Sequence, residues 1–187
     1  MGNREDLLEG ARKCLLERGY AKTTARDIAE AAGVSLAAIG YHFGSKERLL
    51  TEALTQAMGS GMGDDLEEKI RAGAGRSLAA AFPDMWDDIA ELFARHREAV
   101  IASFENQVRI QRSPDSREFM MTANEQAVGE FRTFLTETHP ELDEAEVAAV
   151  ARFYFTLLNG LAVSWAMGVP LPTGDELALA VRSLAGV

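Results

Sequence analysis

One cysteine, three histidines and five prolines in 187 residues leave little material for several kinds of chemistry. Cys14 has no intrachain partner, so no disulfide is available, and beside Leu15 in a helical pattern it reads as a small buried hydrophobe. A thiol redox sensor would need cationic neighbours, and only Lys13 is close in sequence. His96 and His139 stand alone, with no second histidine at ligand spacing, and the Glu-x-x-His pairs of carboxylate-bridged metal bundles do not occur. Nucleophile elbow, P-loop and glycine-rich dinucleotide fingerprint are missing too, so neither a cofactor nor a metal is expected and an enzyme is disfavoured. The acidic cluster Asp84, Asp87, Asp88 and Glu91 lies near a helix start, where it complements the helix dipole. No run of 18 apolar residues exists, and the opening MGNREDLLEG is too polar for a signal peptide, which makes a cytoplasmic protein without a membrane partner the expectation. Strand-like alternation and internal repeats are absent, and with 47% hydrophobic residues the chain can bury a proper core. The fold class expected is all-α.

Positive charge is scarce overall, with a net charge of -10. The deficit is uneven. Residues 1–50 carry eight lysines and arginines against seven aspartates and glutamates, a balance of +1, whereas the remaining residues carry 11 against 22, a balance of -11. A near-neutral head on an acidic body suits DNA binding, because the body is repelled by the duplex and the head is turned toward it.

The informative stretch is Thr23 to Leu54. Thr24 precedes the apolar-periodic run Ala25, Ile28, Ala29 and Ala32 and is followed three residues on by Asp27, the spacing of a capping box. Gly33 can end that helix in a left-handed turn, and Ser35 is a second N-cap candidate leading into Leu36 to Phe43. Two short helices joined by a tight glycine turn make a helix-turn-helix, whose second helix enters the major groove. A further helix begins after Ser45, with Leu49, Leu50, Ala53 and Leu54 as its stripe, and the segment before the motif, with Leu7, Leu8, Ala11, Leu15 and Leu16, forms a helix stopped by Gly19.

From Gly19 to Leu49 the run G-Y-x-x-T-T-x-x-D-I-A-x-x-A-G-V-S-x-x-x-I-x-Y-H-F-x-x-K-x-x-L resembles the TetR family of bacterial repressors. The resemblance covers about the first quarter of the chain. It implies a helix-turn-helix three-helix head, residues 1–50, followed by a helical ligand-binding and dimerisation body, residues 51–187. Gly40 departs from the pattern, which usually has an aromatic there beside Tyr41.

Candidate phosphate contacts are Thr24, Ser35, Tyr41, His42 and Lys46, with His42 alternatively packing against the first helix. Arg26 projects from the supporting helix, where the family often places a base-reading side chain, and arginine can bond guanine in two places. The recognition helix itself offers Leu36, Ala37, Ala38 and Gly40. Methyl groups and glycine make no hydrogen bonds, so direct readout leans on thymine methyls, backbone approach and DNA shape.

Beyond Met58, Gly59, Gly61 and Gly63 interrupt the fourth helix and mark the boundary between head and body. Spacing then predicts helices over Asp64 to Ala81, from Pro83 through Phe93 and on to Val108, from Phe119 to Leu135, from Asp143 to Met167, and from Asp175 to Leu184. The helix from Asp143 is apolar on more than one side, so one side faces the core and the other a second copy of the chain. Phe153, Leu157, Gly160, Leu161 and Ser164, with Leu177, Val181 and Leu184, are the dimer-interface candidates, since the resemblance implies that the last two helices pair across subunits. Ligand-binding candidates, each also readable as core, are Trp86, Phe93, Phe104, Val108, Met120, Phe131, Phe155 and Asn159. Asn106, Gln107 and Arg109 could orient a ligand or be surface groups.

The function implied is a ligand-responsive transcriptional regulator that binds a palindromic double-stranded operator as a homodimer and is released by a small molecule. The alternative is a constitutive DNA-binding dimer without an effector.

Overall fold

In the computed structural model, which describes residues 3–186, eleven α-helices and one π turn follow one another, and no strand occurs among the described residues. Met1, Gly2 and Val187, the outer ends of the two expected domains, lie outside the described residues. The chain divides into two compact units, Met1–Gly61 with His96–Asn124, and Met62–Arg95 with Glu125–Val187.

The first unit opens with α1 (Asn3–Arg18), α2 (Ala25–Ala32), α3 (Ala37–Phe43) and α4 (Lys46–Met58). Gly19, at φ 76°, ends α1, and its N–H donates to Leu15 O at 2.9 Å. Leu7, Leu8, Ala11 and Leu15 of α1 meet Tyr20, Ile28, Ile39, Phe43, Leu49 and Leu50 in one buried cluster. Each fully buried leucine or isoleucine contributes on the order of 2 kcal/mol, enough to hold helices too short to persist alone. Gly10 allows close approach, since a Cβ there would stand 3.0 Å from the Ile28 carbonyl oxygen of α2. Ala99 and Ala102 of α8 (Arg97–Ile110) join the same cluster.

The second unit holds α5 (Asp64–Ala72), α6 (Leu78–Trp86), α7 (Ile89–Arg95), α10 (Glu144–Ala166) and α11 (Gly174–Ala185), with the later part of α9 (Pro114–Thr138). Its centre is aromatic: Trp86 meets Tyr154 edge-on at 5.3 Å between ring centroids, and Phe82 lies 6.1 Å from Trp86 and 5.8 Å from Tyr154. Asp87 ties three helices together, accepting from Gly174 N at 2.9 Å through Oδ1 and from Lys69 Nζ at 2.8 Å through its carbonyl. α10 is long and apolar enough, by length and composition, to cross a membrane, with mean hydropathy 1.4. The core helix of a soluble protein meets the same measure, and Leu158, Leu161 and Ala162 of α10 are buried inside the protomer.

Several expected boundaries move. Gly59, Gly61 and Gly63 do not interrupt the helix: Gly59–Gly63 continues it as a π turn, a wide form that glycine enters without side-chain crowding. The segment Asp64 to Ala81 is not one helix, because Gly73 ends α5 and Gly75, at φ 82°, turns the chain before Ser77 caps α6. Pro83 is not in a first turn. It lies inside α6, which Ser77 has already opened, and forgoes one backbone bond there. Trp86 closes α6, and Asp88, at φ 59°, separates it from α7. Ser35 is not a cap either: α3 has Leu36 as N-cap with no side-chain bond, and its first turn is closed by Ala38 N to Ser35 O at 3.0 Å. Pro114 starts α9, earlier than Phe119, as proline's fixed φ suits a first helical position.

Candidate nucleic-acid interface

The supporting helix α2 is held at its start by a complete capping box. Asp27 N donates to Thr24 Oγ1 at 3.2 Å, and Thr24 N donates back to Asp27 Oδ2 at 2.9 Å. Thr24 Oγ1 also donates to Asp27 Oδ2 at 2.7 Å, and Arg18 Nη1 donates to Oδ1 at 2.7 Å. Together the Thr24 hydroxyl, its backbone N–H and the Arg18 guanidinium hold the Asp27 carboxyl below the usual carboxylate range. The Thr24 hydroxyl is therefore engaged within the protein, and a phosphate would have to share it.

Gly33, at φ 67°, closes α2 with its N–H shared between Ala29 O and Glu30 O. The chain then enters α3, whose residues divide cleanly. Ile39 and Phe43 are buried in the head cluster, while Leu36 is 49% exposed and Tyr41 86% exposed, with Ala37 and Gly40 also outward. Ala38 is a correction: at 8% exposure it belongs to the core, because position 38 falls on the inward arc with Ile39, so its methyl is not offered to a base. A Cβ on Gly40 would meet nothing within 4 Å, so the surface there is flat and open.

His42 is half-buried, its ring 4.9 Å from Tyr41 and nearly perpendicular to it. Lys46 at the start of α4 is partly engaged, donating to Thr23 O at 3.3 Å and lying 3.7 Å from Glu47. Arg26 is exposed and makes no hydrogen bond or ion pair with any described residue, which leaves its five donors available. Ser35 is exposed as well. Thr24, Arg26, Ser35, Leu36, Ala37, Gly40, Tyr41, His42 and Lys46 thus all sit in the first unit on or beside the two helices of the motif.

The polar residues of α8 take a role that sequence reasoning missed. Asn106 is 0% exposed and its Oδ1 lies 3.1 Å from Thr51 Oγ1 of α4. Its buried Nδ2 has no hydrogen-bond partner among the described residues. Arg109 stacks over the Tyr20 ring at 5.1 Å, Gln107 is exposed, and Arg48 of α4 stacks over Phe119 at 3.8 Å while pairing with the buried Glu52, as does Arg4. Nothing in local spacing announces a pair 55 positions apart, so Asn106 read equally well as a surface group.

The residues expected around a ligand are drawn from both units. Phe104, Val108 and Met120 belong to the first unit, whereas Trp86, Phe93, Phe131, Phe155 and Asn159 belong to the second. Trp86, Phe93 and Phe131 are buried core, and Phe104, Met120 and Phe155 are partly covered. Val108 is 68% exposed in the single chain, and Asn159 is exposed on the helix surface, its Nδ2 donating to Phe155 O at 2.7 Å. A cavity of about 10 Å³ in the second unit is lined by other residues, Ile70, Leu78, Met85, Leu135, His139 and Tyr154 among them, and has room for about one water.

Of the expected interface residues, Phe153, Gly160, Val181 and Leu184 are exposed in the single chain, and Leu157, Ser164 and Leu177 are half-buried. Leu161 is the correction, being buried inside its own protomer on the core side of α10.

Residues 7–53 match the sequence model described as bacterial regulatory proteins, tetR family. Among curated relatives, the transcriptional repressor AcnR of Corynebacterium efficiens is 49% identical over 49 residues, 26% of each chain. The repressor KstR2 of Rhodococcus jostii is 36% identical over 102 residues, 54% of this chain and 45% of that protein. The chain thus spans a quarter to a half of the length of these relatives. A longer likeness, 27% identical over 160 residues, covering 86% of this chain and 75% of the relative, is to the transcriptional regulator BetI of Agrobacterium fabrum. Among solved structures, a transcriptional regulator from Rhodococcus sp. RHA1 superposes with a TM-score of 0.69 at 18% identity, covering 97% of this chain and 94% of that one. Thermus thermophilus FadR in complex with lauroyl-CoA gives 0.67 at 22% identity, covering 97% and 93%. Residues 7–53 therefore carry the N-terminal segment that marks the TetR family of bacterial regulatory proteins, and the whole chain has the all-helical fold of these solved structures.

Proposed function

We propose that the chain is a cytoplasmic transcriptional repressor in which residues 1–50 read DNA and residues 51–187 form the dimerising, effector-responsive body. The observation that carries the reading is the outward face of α2 and α3, where an unpaired Arg26 stands with Leu36, Ala37, Gly40 and Tyr41 on a helix pair of helix-turn-helix form. Arg26 would bond a guanine edge, while Tyr41, His42, Lys46, Ser35 and Thr24 would meet phosphates and fix the register.

Two such heads about one helical turn apart would read a palindrome, which requires a homodimer. Phe153, Val181 and Leu184, exposed and apolar on α10 and α11, support pairing through those helices, with Gly160 permitting close approach. An effector would release the operator by binding the non-operator conformation better. A tenfold loss of DNA affinity needs about 1.4 kcal/mol of coupling.

The alternative reading is a DNA-binding dimer without an effector. A thermal-shift screen of small apolar compounds separates the two, because a ligand at 100 times its dissociation constant stabilises by about 2.7 kcal/mol. The reading itself is tested by selecting bound duplexes from a random pool with the full-length protein. A two-fold symmetric motif is the expected result, and an unenriched pool at low salt would refute it.

A further inference from the structure

The identity of the bases read by α3 follows from what its outward arc can and cannot bond, taking as given that the chain is an operator-binding dimer. Leu36, Ala37, Gly40 and Tyr41 occupy positions i, i+1, i+4 and i+5, which span about 140° of a helix circumference. No amide, carboxylate, guanidinium, ammonium or aliphatic hydroxyl lies on that arc, so the paired donors and acceptors that discriminate base edges are missing. Leu36 nevertheless stands half in water at the start of α3, and the flat position at Gly40 lets the backbone come close to whatever lies opposite.

In the major groove the apolar group presented by a base pair is the C5-methyl of thymine. Leucine laid against an amino group, O6 or N7 would strip water from a polar edge and return no bond, which costs free energy. Laid against a methyl, it buries apolar surface on both sides.

We propose that each operator half-site presents thymine methyl groups to Leu36 and Ala37, which makes Leu36 a specificity-determining residue. The test uses the duplex enriched by the full-length protein, resynthesised with deoxyuridine in place of deoxythymidine. This exchange deletes the methyl groups and keeps every hydrogen-bonding atom. Affinity should fall about fourfold for each contacted methyl, on the order of fifteenfold for one in each half-site. A Leu36→Ala protein should lose most of that discrimination. Equal binding of the thymine and uracil duplexes would overturn the proposal, as would a selected half-site without thymine or an undiminished discrimination in Leu36→Ala. A protein that enriches no duplex would overturn both this inference and the operator-binding reading beneath it.

Discussion

Gly174 at the start of α11 lies against Pro83 of α6 so closely that a Cβ on it would fall 1.9 Å from the Pro83 carbonyl oxygen and 2.8 Å from Asp87 Oδ1. The obstacle is backbone, which cannot rotate away as a side-chain tip would. Gly174→Ala should therefore destabilise the fold by about 3 kcal/mol, read as a lowered urea midpoint with unchanged slope. Gly160→Ala is the control. Nothing lies within 4 Å of its added methyl in the protomer, and the gain in helix propensity, up to about 1 kcal/mol, should stabilise a dilute monomer. Equal effects of the two substitutions would contradict the tight α6–α11 contact.

Leu184 is 90% exposed in the single chain, so Leu184→Arg should change protomer stability by no more than about 0.5 kcal/mol. If α11 pairs with a second copy, the same substitution strands a charge in an apolar interface. Light scattering should then report monomers at concentrations where the unsubstituted protein is dimeric. A variant that remains fully dimeric would move the interface away from α11.

Thr51 and Asn106 form a buried pair between α4 and α8. Thr51→Val leaves the buried Asn106 Oδ1 without its bond and should cost about 2 kcal/mol, and Asn106→Leu should cost less than that from lost hydrogen bonding, because the Thr51 hydroxyl keeps the Glu47 carbonyl at 2.8 Å. The double variant should cost clearly less than the sum, because nothing polar is then left orphaned. Additive losses in a denaturant double-mutant cycle would mean that the pair does not interact.

Three groups give the stability a defined pH dependence. Asp27 has its pKa lowered from 3.8, so its capping contribution is complete above that value and lost as pH falls through the folded value beneath it. A carboxyl titration followed by NMR should show Asp27 as a low outlier, and Thr24→Val should move it back toward the ordinary range. Burial pushes the Tyr154 phenol well above its ordinary value of 10, and burial with nearby Glu47 raises Tyr20. The raised phenols stabilise fully below about pH 10 and lose that contribution above it. Neither tyrosine should give phenolate absorbance until the chain unfolds, and Tyr154→Phe should weaken the alkaline loss.

The head was legible because its determinants are local. Thr24 with Asp27, Ser45 with Arg48 and the left-handed Gly33 each act within a few positions, and spacing reveals such contacts. Ala38 was misjudged for the complementary reason: a seven-residue helix has too few turns for periodicity to fix which arc is inward. In the body the failures are non-local. Pro83 reads as a helix start until Ser77 is seen to have opened the helix already, and the need for glycine at 174 is set by a carbonyl 91 positions earlier. Trp86, Phe93 and Phe131 read equally well as ligand wall or as core, since a hydrophobic helix face looks the same whether it lines a cavity or fills a core.

If the proposed dimer covers the apolar side chains left in water on α11, Leu179 and Leu184 among them, abundance becomes a thermodynamic variable. When two chains cover one another's surface, folding and association share a single mass-action equilibrium, and the melting temperature climbs with the amount of protein present. A cell holding few copies would then have less of the regulator folded as well as less of it in total, so occupancy of the DNA would respond to synthesis more steeply than in proportion.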